Sequence, residues 1–456
     1  MVEGKPLKTI TAFVLPVIMG SILQNLYSMA DTAIVGKFIG DSALAAVGAT
    51  SLTFSIIVSL TYGFMSGFSI IAGQKVGARD YEGLGKVYTN GLVLVLLISV
   101  AATVGLTLCT DSLLTLMKTP DELREEAGKY IRVIYMGIST TLLYNFFSEM
   151  FRAIGNSKKP FIYLAISSGV NIILDLFFVC VLHTGVAGAA LATVIAQAVS
   201  VILCFISLSR SSIWFRFSIK EFRFDKGIIK ECARLGIPTC FLNGVISCGV
   251  LVLQIYTNSF GVEYIAAASA ASRIFSIYNI PLTSYGSGLS VYVAQNFGAG
   301  QYDRIKSGVK STSLFLFAYS TVMFAVSFFV SKYIIRLFIS DTPTVVEWGS
   351  RIITVSFMGH YALSFLINMK CTLNALGRPL MPTLQGFADV ALRIVAVCLG
   401  TKFFGFWGIV FGDFLTWTLG AVIFIFMLAY EDRQIYKKHG FSLFVKKKLT
   451  TEHSDI

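Results

Sequence analysis

The chain has 456 residues, of which 55% are hydrophobic and only 14% are charged. Soluble domains carry about 25% charged residues, so the composition excludes an ordinary soluble protein and indicates a polytopic membrane protein. The net charge of +12 does not indicate a nucleic-acid-binding protein, because the basic residues are concentrated in short loops and near the C-terminus. That distribution is typical of the cytoplasmic face of a membrane protein.

Twelve apolar segments are long enough to span a bilayer, which requires about 20 residues per helix. They fall at residues 11–34, 43–72, 91–110, 130–150, 161–182, 186–208, 237–260, 264–292, 312–337, 350–372, 381–401 and 405–429. We therefore predict an all-α integral membrane protein with twelve transmembrane helices, located in the inner (cytoplasmic) membrane. The predicted inner loops carry roughly three times as many Lys and Arg residues as the outer loops, which places both termini in the cytoplasm.

The two halves of the chain repeat. Gln74, Gly77, Ala78 and Tyr81 recur 221 residues later as Gln295, Gly298, Ala299 and Tyr302, and Ala153, Gly155 and Pro160 recur 222 residues later as Ala375, Gly377 and Pro382. Six helices separate equivalent points, so the halves share one topology, as in transporters built from parallel repeats. We predict two pseudo-symmetric six-helix bundles (1–209 and 235–432), joined by a cytoplasmic linker (210–234) and followed by a basic tail (433–456).

The first predicted helix carries an ionisable group at membrane depth. Asp31 lies about 9 Å below the outer end of that helix, and a charge near the bilayer centre costs about 3 kcal/mol by insertion scales unless it faces water or a partner. Tyr27 lies one turn away on the same face. Pro16 lacks an amide hydrogen and clashes with the preceding turn, which makes it a candidate hinge.

Polar residues on two other predicted helices lie at a similar depth. Asp175 on the fifth helix and Thr193 on the sixth each lie about 12 Å below the outer end, and Asn171 shares the face of Asp175. We predict that these residues and Asp31 form one cluster of oxygen ligands for a proton or for a hard cation such as Na⁺. Two close carboxylates do not readily both stay ionised, so one should hold a proton unless a cation lies between them. The alternative is that each acid is an isolated interfacial residue.

The fourth predicted helix and the second half contribute further polar side chains. Glu149 on the fourth helix is expected to pair with Arg152 at the membrane interface. In the second half, Asp389 and Arg393 are four residues apart and favour a structural ion pair. Asp413 matches the sixth-helix threonine in the repeat, and its role is left open. The position equivalent to the first-helix carboxylate is uncharged, so we expect the coupling chemistry in the first half.

These residues resemble the multidrug and toxic compound extrusion (MATE) family over nearly the whole chain. The resemblance rests on Pro16, the Tyr27 to Asp31 spacing, the paired Gln-x-x-Gly-Ala loops, the stretch 152–160 and the Asn171 to Asp175 spacing. It implies two six-helix bundles around a V-shaped cavity, and export of cationic or amphipathic compounds in exchange for H⁺ or Na⁺. By position it implies an ion site at Asp31, Asn171, Asp175 and Thr193, a polar network at Tyr27 and Asn145, and a first helix that bends at Pro16.

The chain departs from one branch of that family. The branch carries a glutamate on the seventh helix, eight residues after a proline, whereas the eighth residue after Pro238 is Ile246 here. The departure implies that a second-half ion site of that kind is absent. It favours the branch resembling DinF over the branch resembling NorM.

We therefore expect a secondary-active multidrug antiporter that acts as a monomer in the lipid bilayer. Its partners would be small organic cations or drugs, with no nucleic acid and no cofactor other than the coupling H⁺ or Na⁺. The alternative is a lipid-linked oligosaccharide flippase of the same superfamily, which would need a strongly cationic cavity, whereas membrane arginines are scarce. An enzyme is not indicated, because the sequence has no nucleophile–His–acid set, phosphate loop or His-Glu-x-x-His motif. Its eight cysteines form no Cys-x-x-Cys pair and its four histidines are dispersed, which predicts neither disulfides nor a metal cluster.

Overall fold

The computed structural model describes residues 1–117, 119–211, 224–338 and 342–444. These residues form fourteen α-helices, and a π-helical segment (Leu176–Val181) directly follows the seventh. The helices are α1 (Pro6–Phe38), α2 (Asp41–Gly77), α3 (Tyr81–Leu108), α4 (Thr110–Leu116), α5 (Asp121–Met136), α6 (Ile138–Ala153), α7 (Lys158–Asp175), α8 (Gly185–Ser211), α9 (Lys226–Asn258), α10 (Val262–Gly298), α11 (Tyr302–Phe338), α12 (Pro343–Ala375), α13 (Leu380–Phe404) and α14 (Trp407–His439).

The helices form twelve membrane-spanning segments, which confirms the predicted fold class. Nine spans in the described ranges are long and apolar enough to cross a bilayer on composition alone. The other three are α10, α13 and a fourth span made of α5 and α6. That span is interrupted at Gly137, where a side-chain Cβ would come within 2.2 Å of Val194 on α8.

Two stretches predicted as loops are helical. The acidic stretch 121–126 forms the first turns of α5, where carboxylates interact favourably with the positive end of the helix dipole. Helix α9 begins at Lys226, inside the predicted linker 210–234. The other linker residues at 212–223 and the tail residues at 445–456 lie outside the described part of the chain, so the domain limits stay predictions.

Asp225 explains why α9 begins so early. Its side-chain Oδ1 accepts hydrogen bonds from the backbone N–H groups of Gly227 (2.9 Å) and Ile228 (3.1 Å), which otherwise have no partner in the first helical turn. Asp225→Ala is therefore expected to lower the stability by about 1 kcal/mol, measured as a lower Tm in detergent. Asp225→Asn keeps a capping oxygen and should stay close to the natural protein. Equal losses in both variants would contradict the capping role.

The internal repeat is also visible in the backbone. Gly40 and Gly261, which precede α2 and α10, have φ values of +123° and +102°, and Gly155 and Gly377 have φ values of +85° and +78°. These conformations are accessible to glycine and rarely to other residues. The first lobe comprises α1–α8 and the second lobe comprises α9–α14.

The first helix of each lobe begins in the hydrophobic core of the other lobe. Ile10, Phe13 and Val14 of α1 are buried in the core of the second lobe. Cys232 and Leu235 of α9 are buried in the core of the first lobe. In α1 these anchoring residues all precede the proline predicted as the hinge, so the proline separates the anchored part of the helix from its remainder.

Reciprocal hydrogen bonds join the lobes at the membrane face that carries the N-terminus and the turns 78–80 and 299–301, here named the terminal face. Gln74 Nε2 donates to the carbonyl oxygen of Ala375 (2.8 Å), and Gln295 Nε2 donates to the carbonyl oxygen of Ala153 (2.7 Å). All four residues belong to the sequence repeats, so the motifs that reveal the duplication also form the contact between its halves.

Helices α2 and α9 approach each other at backbone distance. A Cβ on Gly63 would come within 2.7 Å of the backbone of Cys240, and a Cβ on Gly67 would come within 2.3 Å of the carbonyl oxygen of Cys232. Glycines four residues apart on one helix face allow this close packing in membranes. The terminal face is therefore held by both hydrogen bonds and close helix packing.

Candidate functional site

A cavity of about 570 Å³ lies between the lobes, with most of its wall contributed by the first lobe. Along α1 the wall runs from Pro16 to Tyr27, and the second lobe contributes parts of α9 and α10. The interlobe hydrogen bonds of the terminal face lie beyond the end of the cavity that contains Pro16. Predicted residue Asn145 of α6 is also in the wall, as is Ile246 at the position where a glutamate was noted as absent.

Hydroxyl and amide groups dominate the wall of this cavity. Side chains such as Ser21, Gln24, Thr141 and Gln197 alternate with a few aromatic rings. Arg152 is the one charged residue among the lining residues that the structure describes. Its guanidinium binds the buried carboxylate of Glu149 at 2.8 Å, as predicted. The wall is therefore polar and carries little net charge.

The structure brings the two predicted acids together. Asp31 on α1 and Asp175 at the end of α7 have carboxyl groups within hydrogen-bonding reach of each other. Asp175 is fully buried, and the π-helical segment begins at the next residue. Such segments occur often at functional sites, because the wider turn redirects nearby side chains.

The predicted amide and hydroxyl groups lie beside this acid pair. Asn171 Nδ2 lies 3.5 Å from Thr193 Oγ1, and the same hydroxyl donates to the carbonyl oxygen of Ala189 at 3.1 Å. The phenol of Tyr27 also bonds to Thr193. Because Tyr27 and Asn171 also line the cavity, they connect the cavity to the acid pair behind its wall.

Several acceptor oxygens in this cluster are buried without a hydrogen-bond donor. They are Oδ1 of Asp31, both carboxylate oxygens of Asp175 and Oδ1 of Asn171. A buried carboxylate without a donor or a cation carries a large desolvation penalty. The donor set therefore fits a proton shared between the acids, or a hard cation that takes oxygen ligands.

Tyr130 of α5 was missed in the sequence. Its phenol interacts electrostatically with Asp31, Asp175 and Tyr27, so a fourth span also reaches the cluster. The residue directly follows a strongly charged stretch, and its depth could not be estimated because the start of that helix was placed nine residues too late. A helix start at Asp121 would have put Tyr130 on the third turn of the span.

In the second lobe the predicted ion pair is present. Arg393 lies 3.7 Å from Asp389 on α13. Its guanidinium also forms a direct salt bridge to Asp413 on α14, which assigns a partner to the residue whose role the sequence left open. This salt bridge is the closer of the two contacts.

Comparison with known proteins identifies the family. The family model MatE matches the chain twice, at residues 16–177 and 238–399, which together exceed half of its length. The "Probable multidrug resistance protein YoeA" of Bacillus subtilis is 26% identical over 383 residues, covering 82% of each chain. The "Multidrug export protein MepA" of Staphylococcus haemolyticus is 22% identical over 426 residues, covering 93% of this chain and 94% of that protein.

Solved structures show the same fold. A "MATE in the bent conformation" superposes with a TM-score of 0.90 at 21% identity, covering 96% of this chain and 98% of the other. An outward-facing multidrug resistance MATE family transporter of the MOP superfamily superposes with a TM-score of 0.88, also at 21% identity. With both halves matched by the family model, this multi-pass membrane protein belongs to the multidrug and toxic compound extrusion (MATE) family.

Proposed function

We propose that this protein exports organic compounds in exchange for H⁺ or Na⁺, and that the coupling ion binds at Asp31 and Asp175. The observation that carries the proposal is the buried acid pair, whose oxygens have no donor from the surrounding protein. Asn171 and Thr193 would complete the oxygen set around the ion. The family membership and the names of the relatives support export, since those relatives are described as multidrug transporters.

The cavity would hold the exported compound. Its hydroxyl, amide and aromatic groups can satisfy varied cargo without committing to a single charge pattern. Its one charged lining residue is Arg152, which Glu149 already neutralises. The wall thus lacks the concentration of positive charge that would bind a diphosphate, so the cavity favours drug export over a lipid-linked oligosaccharide flippase.

Coupling would act through α1. Residues before Pro16 are anchored in the second lobe, whereas Tyr27 and Asp31 face the ion cluster of the first lobe. A bend at Pro16 can therefore change the shape of the cavity without disturbing the anchor. Exchange requires that ion and cargo favour different arrangements of this helix, because a ligand shifts an equilibrium only by its differential affinity.

Flux in proteoliposomes tests the proposal. Purified protein is expected to move an organic dye such as ethidium against its gradient without ATP when a proton or a sodium gradient is imposed. Collapsing the two gradients separately identifies the coupling ion, which corresponds to the gradient whose loss stops the movement. Dye movement no faster than in protein-free vesicles under both gradients would refute the proposal. Orientation is tested in the same vesicles by protease access to the basic tail, which we expect at the cytoplasmic side.

A further inference from the structure

The repeat allows each lobe to be compared with the other position by position. The two matches to the family model, 16–177 and 238–399, are offset by 222 residues, as are the starts of α7 and α13. At this offset Asn171 of the ion cluster corresponds to Arg393. A neutral amide in the first lobe is thus replaced by a guanidinium in the second.

The next helices align through matching turns. Gly185 and Gly405, which precede α8 and α14, both have positive φ, at +64° and +59°, and each is followed three residues later by another glycine. On this alignment Thr193 corresponds to Asp413. A hydroxyl in the first lobe is therefore replaced by a carboxylate in the second.

The equivalent pairs make equivalent contacts. In the first lobe the amide of Asn171 points to the hydroxyl of Thr193 at 3.5 Å. In the second lobe the guanidinium of Arg393 donates directly to the carboxylate of Asp413. The second lobe thus retains the geometry of this pair but with opposite full charges.

The acid pair itself has no charged counterpart. At the same offset Asp31 and Asp175 correspond to Leu253 and Val397, which lie together beside Gly412 of α14. Both side chains belong to an apolar cluster at this end of the second lobe. No carboxylates therefore face each other where the first lobe would hold its ion.

The charges around Arg393 balance. Asp389 and Asp413 flank its guanidinium, and Lys370 of α12 interacts electrostatically with Asp389. Gln385, one turn before Asp389, is fully buried, and neither of its amide atoms has a hydrogen-bond partner. Removal of the guanidinium would leave two carboxylates opposed by one ammonium, beside a free amide oxygen.

We propose that Arg393 is a tethered cation that fills a repeat-related ion site in the second lobe. The covalent link keeps the charge in place, so this site exchanges no ion with either side of the membrane. The inference rests on the proposed function in one respect, because it limits ion coupling to the first lobe. The second lobe then provides a constant partner against which the first lobe changes shape.

Arg393→Asn tests this directly, because it restores the first-lobe residue at the equivalent position. The substitution is made in an Asp31→Asn background, which removes the first-lobe site, and Tm is measured in alkaline, sodium-free detergent solution. We expect added Na⁺ or acidification to raise the Tm of this variant, since a ligand that binds only the folded state stabilises it. The parent Asp31→Asn protein should lack this extra rise.

Two matched variants complete the experiment. Arg393→Lys keeps a tethered cation and should show no cation-dependent rise beyond that of the parent. Adding Asp413→Asn to Arg393→Asn should abolish the rise, because it removes the carboxylate that takes the mobile cation. Equal behaviour of the Asn and Lys variants would overturn the proposal, and so would a rise that persists without Asp413.

A second measurement covers the case in which Arg393→Asn does not fold. Radioactive sodium binding and proton release are counted per chain for the natural protein and for Asp413→Asn alone. We expect equal counts, because Arg393 excludes a mobile ion from Asp413, and a bound ion lost in Asp413→Asn would overturn the proposal. If the natural protein binds no ion at all, the proposed function fails, whereas the comparison of Asn with Lys at position 393 still decides the second-lobe inference.

Discussion

Asp175→Asn is expected to reduce ion-driven dye transport by about tenfold or more, which is within the range of typical coupling free energies. Without this carboxylate the first lobe has no acid pair to share a proton or to bind a cation. Asp31→Asn should have the same effect, and the double variant should lose little more, because both residues act as one unit. Transport is measured in proteoliposomes under the gradient that drives the natural protein.

Protein stability separates this loss from misfolding. Removing one of two buried, undonated carboxylates relieves a desolvation penalty and a repulsion, so Asp175→Asn should keep or raise the Tm in sodium-free alkaline solution. Glu125→Gln is a suitable control, since this exposed acid on α5 pairs only with Lys129 at the outer end of the span. Transport that survives in both Asp31→Asn and Asp175→Asn would contradict a role for the pair.

Gly77→Ala is expected to prevent closure of the terminal face. The added Cβ would lie 1.8 Å from the carbonyl oxygen of Gln295, and a Cβ on Gly298 would lie 1.9 Å from the carbonyl oxygen of Gln74. Neither backbone can move away without separating α2 from α10. We therefore expect either substitution to abolish transport and to favour a conformation that is open at this face.

Spin labels at Glu82 and Asp303 report this opening. These exposed residues are equivalent in the repeat and start α3 and α11 on opposite lobes. In a background without native cysteines, the distance between the labels should increase in Gly77→Ala. Gly105→Ala is the matched control, because a Cβ at this helical glycine meets nothing within 4 Å. An unchanged distance distribution in Gly77→Ala would show that the face tolerates the added carbon.

Hydropathy and repetition were sufficient to predict the twelve spans and the two lobes, because a bilayer admits few ways of satisfying the backbone. Depth estimates were sufficient to group Asp31 with Asp175, since both sit near the outer end of a regular helix. They could not reveal Tyr130, whose helix starts within a charged stretch that resembles a loop. Helix α9 was likewise placed too late, because the capping side chain of Asp225 was not considered.

The salt bridge between Arg393 and Asp413 was beyond the sequence argument for a different reason. Spacing on one helix identified Asp389 as a partner, but the closer partner lies on the next helix. Only the packing of α13 against α14 determines which side chains meet across that interface. The cavity wall was unpredictable for the same reason, since seven helices contribute a few residues each.

The reciprocal bonds of Gln74 and Gln295 imply that the terminal face opens cooperatively. The two bonds are related by the axis that relates the lobes, so a rotation of one lobe about the other lengthens both together. Neither can break first and leave a half-open gate, just as the two halves of a symmetric dimer interface separate in one event. An intermediate that leaks from one side of the bilayer to the other is thereby avoided.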